Sequence, residues 1–160
     1  METLYFDLLQ FGYHLALAVL VGGGLVLGTA AAPAIFRIVR SRSEAGTIFG
    51  AVLARYDQLA VVAAVGLVIT SVLKYAAFED LSVGPRLYAR WLALALLVAA
   101  ALFTSLWAGP VARAIRSRTP GFEDLPDGHP ARREFAQLHR SASRAMRAGV
   151  LVGLFALFLS

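Results

Sequence analysis

His14 is the side chain of this sequence that is best placed to bind a cofactor. It lies in an uncharged run from residue 8 to residue 36 that also contains Gly22 to Gly24. Imidazole is a common haem and metal ligand, so His14 is a candidate ligand; a buried histidine in ordinary helix–helix hydrogen bonds is the alternative. His139 is predicted about 20 Å deeper along the bundle, at 1.5 Å per residue. The two imidazoles therefore cannot share one haem or metal ion.

Four charged residues are predicted to lie within the membrane at a common depth. They are Arg55 and Asp57 in the second helix, and Arg144 and Arg147 in the fourth. An unpaired charge at such depth costs at least about 2.5 to 3.5 kcal/mol. This cost favours an ion pair between Asp57 and an arginine across the bundle. The alternative is that the arginines extend to the lipid headgroups.

Recognised catalytic and metal-binding motifs do not occur in the sequence. It has no cysteine, which excludes disulfides, zinc–thiolate sites and iron–sulfur clusters. There is no HExxH, P-loop, dinucleotide or nucleophile motif. We therefore predict no catalytic residues, no metal site and no cofactor, with haem at His14 as the alternative.

The composition is that of an integral membrane protein. Of 160 residues, 59% are hydrophobic and 16% are charged, whereas soluble domains carry about 25% charge. A bilayer core of about 30 Å requires about 20 helical residues. The sequence offers four uncharged runs that reach this length alone or with their flanks. They are Leu8–Phe36, Gln58–Leu73, Trp91–Ala112 and Ala148–Ser160. A large soluble catalytic domain is excluded.

We predict an all-α integral membrane four-helix bundle in a single domain, residues 1–160. Its helices are placed at about 5–38, 43–76, 86–116 and 131–159. Ser41 and Glu44 have the spacing of a capping box that begins the second helix. Pro130 suits the first position of the fourth helix. Aromatic belts at the membrane surfaces are predicted from Tyr5, Phe6, Phe11, Tyr13, Tyr88, Trp91 and Trp107.

The distribution of Lys and Arg predicts the orientation of the helices. Lys74, Arg86 and Arg90 lie towards one side, and the other twelve basic residues belong to the first and third connections and their flanks. The positive-inside rule then places both termini outside, in a bacterial inner membrane. The net charge of +5 is explained by this asymmetry and by attraction to anionic headgroups. The predicted partner is the lipid bilayer, not nucleic acid. A cleaved signal peptide is disfavoured, because no Lys or Arg precedes Arg37.

Small residues recur every four positions on three predicted helices. They are Gly24 and Gly28, Gly46 and Gly50, and Gly149 and Gly153. This spacing lines one helical face and favours close helix packing within the bundle, with a homodimer face as the alternative. The sequence at 37–43 also resembles that at 113–119, which fits two parallel two-helix halves. The positive-inside rule alone would account for the same arginines.

Several segments resemble the transmembrane protein 205-like family. They are His14 to Gly24, Ala32 to Phe36 with Pro33, Ala45 to Gly50, and Phe135 to Ser141 with His139. This resemblance implies a four-helix membrane fold, and it brings no catalytic residues. The bacterial members of that family are grouped under a domain of unknown function. The sequence is more distantly similar to copper resistance protein D and to the membrane protoporphyrinogen oxidase. In the latter, a first-helix histidine associated with haem would correspond to His14, whereas Val21 replaces the tryptophan of these groups.

These observations predict a small membrane protein that acts as a structural or accessory component without catalysis of its own. Its partners would be a larger membrane complex or further copies of the chain. One alternative is a haem- or metal-binding protein that uses His14. The other is an oligomeric transporter of a metal or small solute, suggested by the charged residues at membrane depth.

Overall fold

The computed structural model describes residues 2–79, 84–126 and 128–160, and these residues form four long helices without any strand. The helices are α1, Thr3–Ile38; α2, Arg42–Phe78; α3, Pro85–Arg118; and α4, Pro130–Phe158. Each is long and apolar enough to cross a membrane. This confirms the prediction of an all-α, multi-pass chain with four helices that are able to span a membrane. Its orientation and its division into two halves stay predictions.

The helix starts follow the predicted capping residues. The Ser41 hydroxyl accepts a hydrogen bond of 3.4 Å from the Glu44 backbone N–H at the start of α2. Pro130 opens α4, where the His129 ring accepts a hydrogen bond of 3.2 Å from the Ala131 backbone N–H. Each cap satisfies a backbone donor that has no partner within its helix. The connection between α2 and α3, where Phe78 to Pro85 is predicted to form a short acidic turn, lies partly outside the described residues.

Two prolines lie within the helices, and a π-helical segment precedes each of them. The segment Leu27–Ala31 comes before Pro33 in α1, and Phe103–Ala108 comes before Pro110 in α3. A proline in a helix removes one backbone donor, and its ring collides with the carbonyl four residues earlier. In both helices that carbonyl belongs to the π segment, whose wider turn accommodates the ring. The helices therefore continue beyond both prolines.

The core lies in the half of the bundle that is remote from most of the arginines. Its largest fully buried side chains are Tyr13, Leu17 and Leu67. Tyr13 was predicted to lie in an aromatic belt, and this is wrong. Its side chain is only 1% exposed, because it points between the helices, where its hydroxyl lies 3.0 Å from the Ser160 hydroxyl.

The predicted small-residue faces have two different environments. Gly24, Gly149 and Gly153 are buried where neighbouring helices approach closely. A β-carbon on Gly24 would lie 2.9 Å from Val150, and one on Gly149 would lie 3.3 Å from Ala100. Gly46 lies against the Arg116 guanidinium. In contrast, Gly28 and Gly50 face open space, so these two glycines leave room that no neighbouring helix fills.

Candidate functional site

A large cavity opens at the end of the bundle where α1 and α3 end and α2 and α4 begin. We call it the basic cavity. Its volume is about 750 Å3, and its wall includes Phe49, Phe122 and Phe135 together with six arginines. A second space of about 540 Å3, the apolar groove, lies between α1 and α4. Phe36, Phe49 and His139 line both spaces, so the cavity and the groove adjoin.

The wall of the basic cavity carries a strong excess of positive charge. Among the residues that the structure describes, Glu123 is the only acidic side chain of this wall. The arginines come from α2, α3 and α4. They are Arg42, Arg113, Arg116, Arg132, Arg133 and Arg140. Guanidinium groups bind carboxylate and phosphate oxygens through paired N–H donors. The chemistry that this wall supports is the binding of an anion.

The segment between α3 and α4 folds onto the cavity. Gly121 adopts a left-handed conformation with φ of 62°, which turns the chain so that Phe122 is buried. The Phe122 ring contacts the Phe135 ring edge to face, with centroids 5.2 Å apart. Glu123 accepts an ion-pair contact of 2.6 Å from Arg116. Arg116 also donates to the Ser43 carbonyl at 2.8 Å, so this arginine connects the loop to the start of α2.

Asp57 forms an ion pair with Arg113 near the inner boundary of the cavity. The distance from Arg113 Nη1 to Asp57 Oδ2 is 2.8 Å, and the two side chains are 38% and 13% exposed. Gly109 makes the approach possible. A β-carbon at this position would lie 3.0 Å from the Asp57 carboxylate and 3.2 Å from the Arg113 guanidinium. A side chain in place of Gly109 would therefore crowd the pair.

Tyr56, beside Asp57, connects α2 to α1. Its hydroxyl donates a hydrogen bond of 2.9 Å to the Leu20 carbonyl, which belongs to the π segment Ala18–Gly22. Its ring lies directly against Gly23, where any β-carbon would overlap it. Because Tyr56 and Asp57 contact different helices, this part of α2 connects both α1 and α3.

The charged residues predicted at membrane depth do not form one cluster. Asp57 is paired with Arg113 of α3, not with either predicted arginine of α4. Arg55, Arg144 and Arg147 are exposed. The Arg147 side chain donates to the Ser143 carbonyl of its own helix at 3.2 Å and lines the apolar groove.

The two candidate histidines lie in different surroundings. His14 is half-buried, 3.5 Å from the Gln10 side chain, and the Tyr13 ring contacts it at an angle of 71°. It lines neither the basic cavity nor the apolar groove. His139 stacks on Phe135, with ring planes 5° apart. His139 therefore belongs to the boundary between the cavity and the groove.

Haem binding at His14 stays a prediction with a direct test. If His14 is a haem ligand, protein purified from haem-replete cells should show a Soret band, and His14→Ala should remove it. The control is His139→Ala, which should leave the spectrum unchanged. A wild-type spectrum without a Soret band would exclude haem as the cofactor.

The sequence interpretation missed Arg113, Arg116 and Gly109 as site residues. Arg113 and Arg116 were counted only as part of the basic third connection. Their three-residue spacing places both on one side of α3, and this spacing could have identified them. The sequence carries no comparable indication for Gly109, since its role depends on the close approach of Asp57 from another helix.

Comparison with known proteins identifies a family for this chain. A family model described as "Domain of unknown function (DUF4149)" matches residues 15–119. The match begins directly after His14 and ends after α3, so it covers Asp57, Arg113 and Arg116 but not α4. No curated protein and no solved structure matches the chain.

Proposed function

Because this chain belongs to the DUF4149 family, whose function is unknown, we propose a function from the basic cavity itself. The chain is a small accessory protein of the membrane that binds an anionic ligand at the arginine-rich end of its bundle. It acts by binding and does not catalyse a reaction. The observation that carries this proposal is a cavity of about 750 Å3 whose wall, within the described part of the chain, holds six arginines and one glutamate.

The arrangement of these arginines supports a ligand site beyond the general charge asymmetry of membrane proteins. Arg37, Arg40 and Arg118 are exposed at the same end of the bundle and do not line the cavity. In contrast, Arg42, Arg116 and Arg140 come from three different helices and border a single space. Glu123 is paired with Arg116 and Asp57 with Arg113, and the other arginines of the wall repel one another. A bound anion relieves this repulsion and gains charge-assisted hydrogen bonds.

Replacing Arg133 and Arg140 together with glutamine is expected to abolish anion binding. Both side chains are exposed and line the cavity, so their replacement should leave the fold intact. The measurement is the thermal unfolding of detergent-solubilised protein titrated with inorganic pyrophosphate. A ligand at a hundredfold excess over its Kd stabilises by about 2.7 kcal/mol. We expect a saturable rise of the midpoint in the parent protein and none in the double variant.

The control is the double variant Arg37→Gln with Arg118→Gln. It removes the same charge from the same end of the bundle, but neither residue lines the cavity. We expect it to bind pyrophosphate like the parent. Equal losses in the two double variants would show that binding is a general electrostatic effect and would reject the cavity as the site.

The same proposal includes three features that the sequence predicts. They are the resemblance to the transmembrane protein 205-like family, a location in a bacterial inner membrane, and assembly with other subunits or with further copies of the chain. Co-purification in mild detergent tests the assembly. The oligomeric transporter stays an alternative prediction. A transporter should produce a measurable flux of solute across the membrane of proteoliposomes, whereas an accessory binding protein should produce none.

A further inference from the structure

We propose that the natural occupant of the basic cavity is the headgroup of an anionic phospholipid, with one acyl chain lying in the apolar groove. This inference rests on the proposed function and names its ligand. The two spaces have complementary chemistry. The cavity wall is rich in arginine, whereas the groove is lined mainly by small and aliphatic residues such as Gly28, Leu25 and Val150.

The continuity of the two spaces supports a single amphipathic ligand. Phe36, Phe49 and His139 form part of both walls. The rings of Phe36 and Phe49 contact each other with centroids 6.1 Å apart. Apolar rings at this junction suit the region of a lipid where the headgroup meets its chains. A free phosphate or another small anion would occupy the cavity and leave the groove unfilled.

The length and direction of the groove match one leaflet of a bilayer. Along α1 the groove extends from Gly24 to Phe36, which is about 18 Å at 1.5 Å per residue. Half of a hydrocarbon core is about 15 Å. The arginines lie at one end of the bundle, where headgroups of the adjacent leaflet would lie. A lipid of that leaflet could therefore enter from the side with its usual orientation.

The groove forms where α1 and α4 diverge, beyond their close contact at Gly24. At Gly24 the helices touch, since a β-carbon there would lie 2.9 Å from Val150. One turn further along α1, a β-carbon on Gly28 would meet no atom within 4 Å. Ala32 follows on the same side of α1 and also lines the groove. These small residues keep the space open for a chain.

The decisive variant is Gly28→Leu, which fills the groove and leaves the arginines unchanged. Native mass spectrometry in mild detergent would measure the Kd of dioleoyl phosphatidylglycerol, with dioleoyl phosphatidylcholine as the neutral lipid. We expect the parent to prefer the anionic lipid. Gly28→Leu should raise the Kd of phosphatidylglycerol at least about tenfold. This factor corresponds to the exclusion of about two methylene groups of the acyl chain from the groove. Ala32→Leu, which fills the same groove, should act in the same direction.

The matched control is Gly66→Leu. Gly66 is also a helical glycine with open space beside it, but it lines neither the cavity nor the groove. The Gly66→Leu variant should therefore bind phosphatidylglycerol with the same affinity as the parent. Inorganic pyrophosphate is the soluble anion for comparison, and Gly28→Leu should leave its affinity unchanged.

The outcomes separate this inference from the proposed function. If pyrophosphate binding needs Arg133 and Arg140, but Gly28→Leu and Ala32→Leu bind phosphatidylglycerol as the parent does, the ligand is a soluble anion and the lipid inference is overturned. Equal affinities for the two lipids would overturn it as well. If neither anion depends on Arg133 and Arg140, the proposed function fails together with the inference.

Discussion

Asp57→Ala is expected to lower the free energy of unfolding by about 1 to 3 kcal/mol. The substitution removes the ion-pair partner of the Arg113 guanidinium. In the parent protein, Arg113 Nη1 lies 2.8 Å from Asp57 Oδ2. Removing one member of a buried pair costs about 3 to 5 kcal/mol. The expected loss is smaller because the Arg113 side chain is 38% exposed and is partly stabilised by its surroundings. Unfolding in mixed micelles with increasing SDS would measure the change.

A double-mutant cycle would assign this loss to the pair. Asp57→Ala and Arg113→Ala should each be destabilising, and the double variant should be less unstable than the sum of the two. Arg55→Ala is the control, since Arg55 is exposed two residues earlier on the same helix. We expect it to remain within about 0.5 kcal/mol of the parent. Additive effects of Asp57→Ala and Arg113→Ala would exclude a stabilising ion pair.

The orientation in the membrane should give an all-or-none result. The predicted charge asymmetry places both termini outside and the arginine-rich connections in the cytoplasm. A reporter enzyme that is active only outside the cytoplasm should therefore be active when fused after Ser160. The same reporter inserted at Gly128 should be inactive. Gly128 is exposed, so an insertion there should not disturb the packed helices.

A reporter with the opposite requirement provides the control for this experiment. A protein that is fluorescent only when folded in the cytoplasm should be dark after Ser160 and bright at Gly128. The reversed pattern for both reporters would refute the orientation. It would also place the basic cavity on the side of the membrane that faces away from the cytoplasm. The proposed lipid would then belong to the outer leaflet of this membrane.

The helices could be predicted from the sequence because their causes are local. Uncharged runs of sufficient length determine a membrane helix almost independently of its neighbours. The caps at Ser41 and Pro130 likewise depend on residues within one turn. These features were therefore accessible without knowledge of how the helices pack.

The partner of Asp57 could not be predicted in the same way. Residue counting gives the depth of a side chain along a helix, and by this measure several arginines could reach Asp57. The choice among them depends on how each helix is rotated about its own axis. In α3 this rotation places Gly109 and Arg113 beside Asp57, whereas Arg144 of α4 remains exposed.

The apolar groove and the basic cavity were also beyond sequence analysis. Glycine spacing predicts a smooth helical face, but it does not show whether another helix covers that face. Gly24 is covered by α4, while Gly28 on the same predicted face is not. Phe122 contributes to the cavity wall through a connection whose course depends on the left-handed conformation at Gly121.

The π-helical segments at Leu27–Ala31 and Phe103–Ala108 make chain length itself part of the site. A π turn accommodates one residue more than an α turn, and each residue of an α-helix rotates the chain by about 100°. Deleting one residue from the second segment would therefore turn Arg113 and Arg116 away from Asp57 and Ser43. A deletion in the first would move Phe36 out of its wall. A change of one residue in the length of either segment would therefore dismantle the basic cavity even if every side chain of its wall were retained.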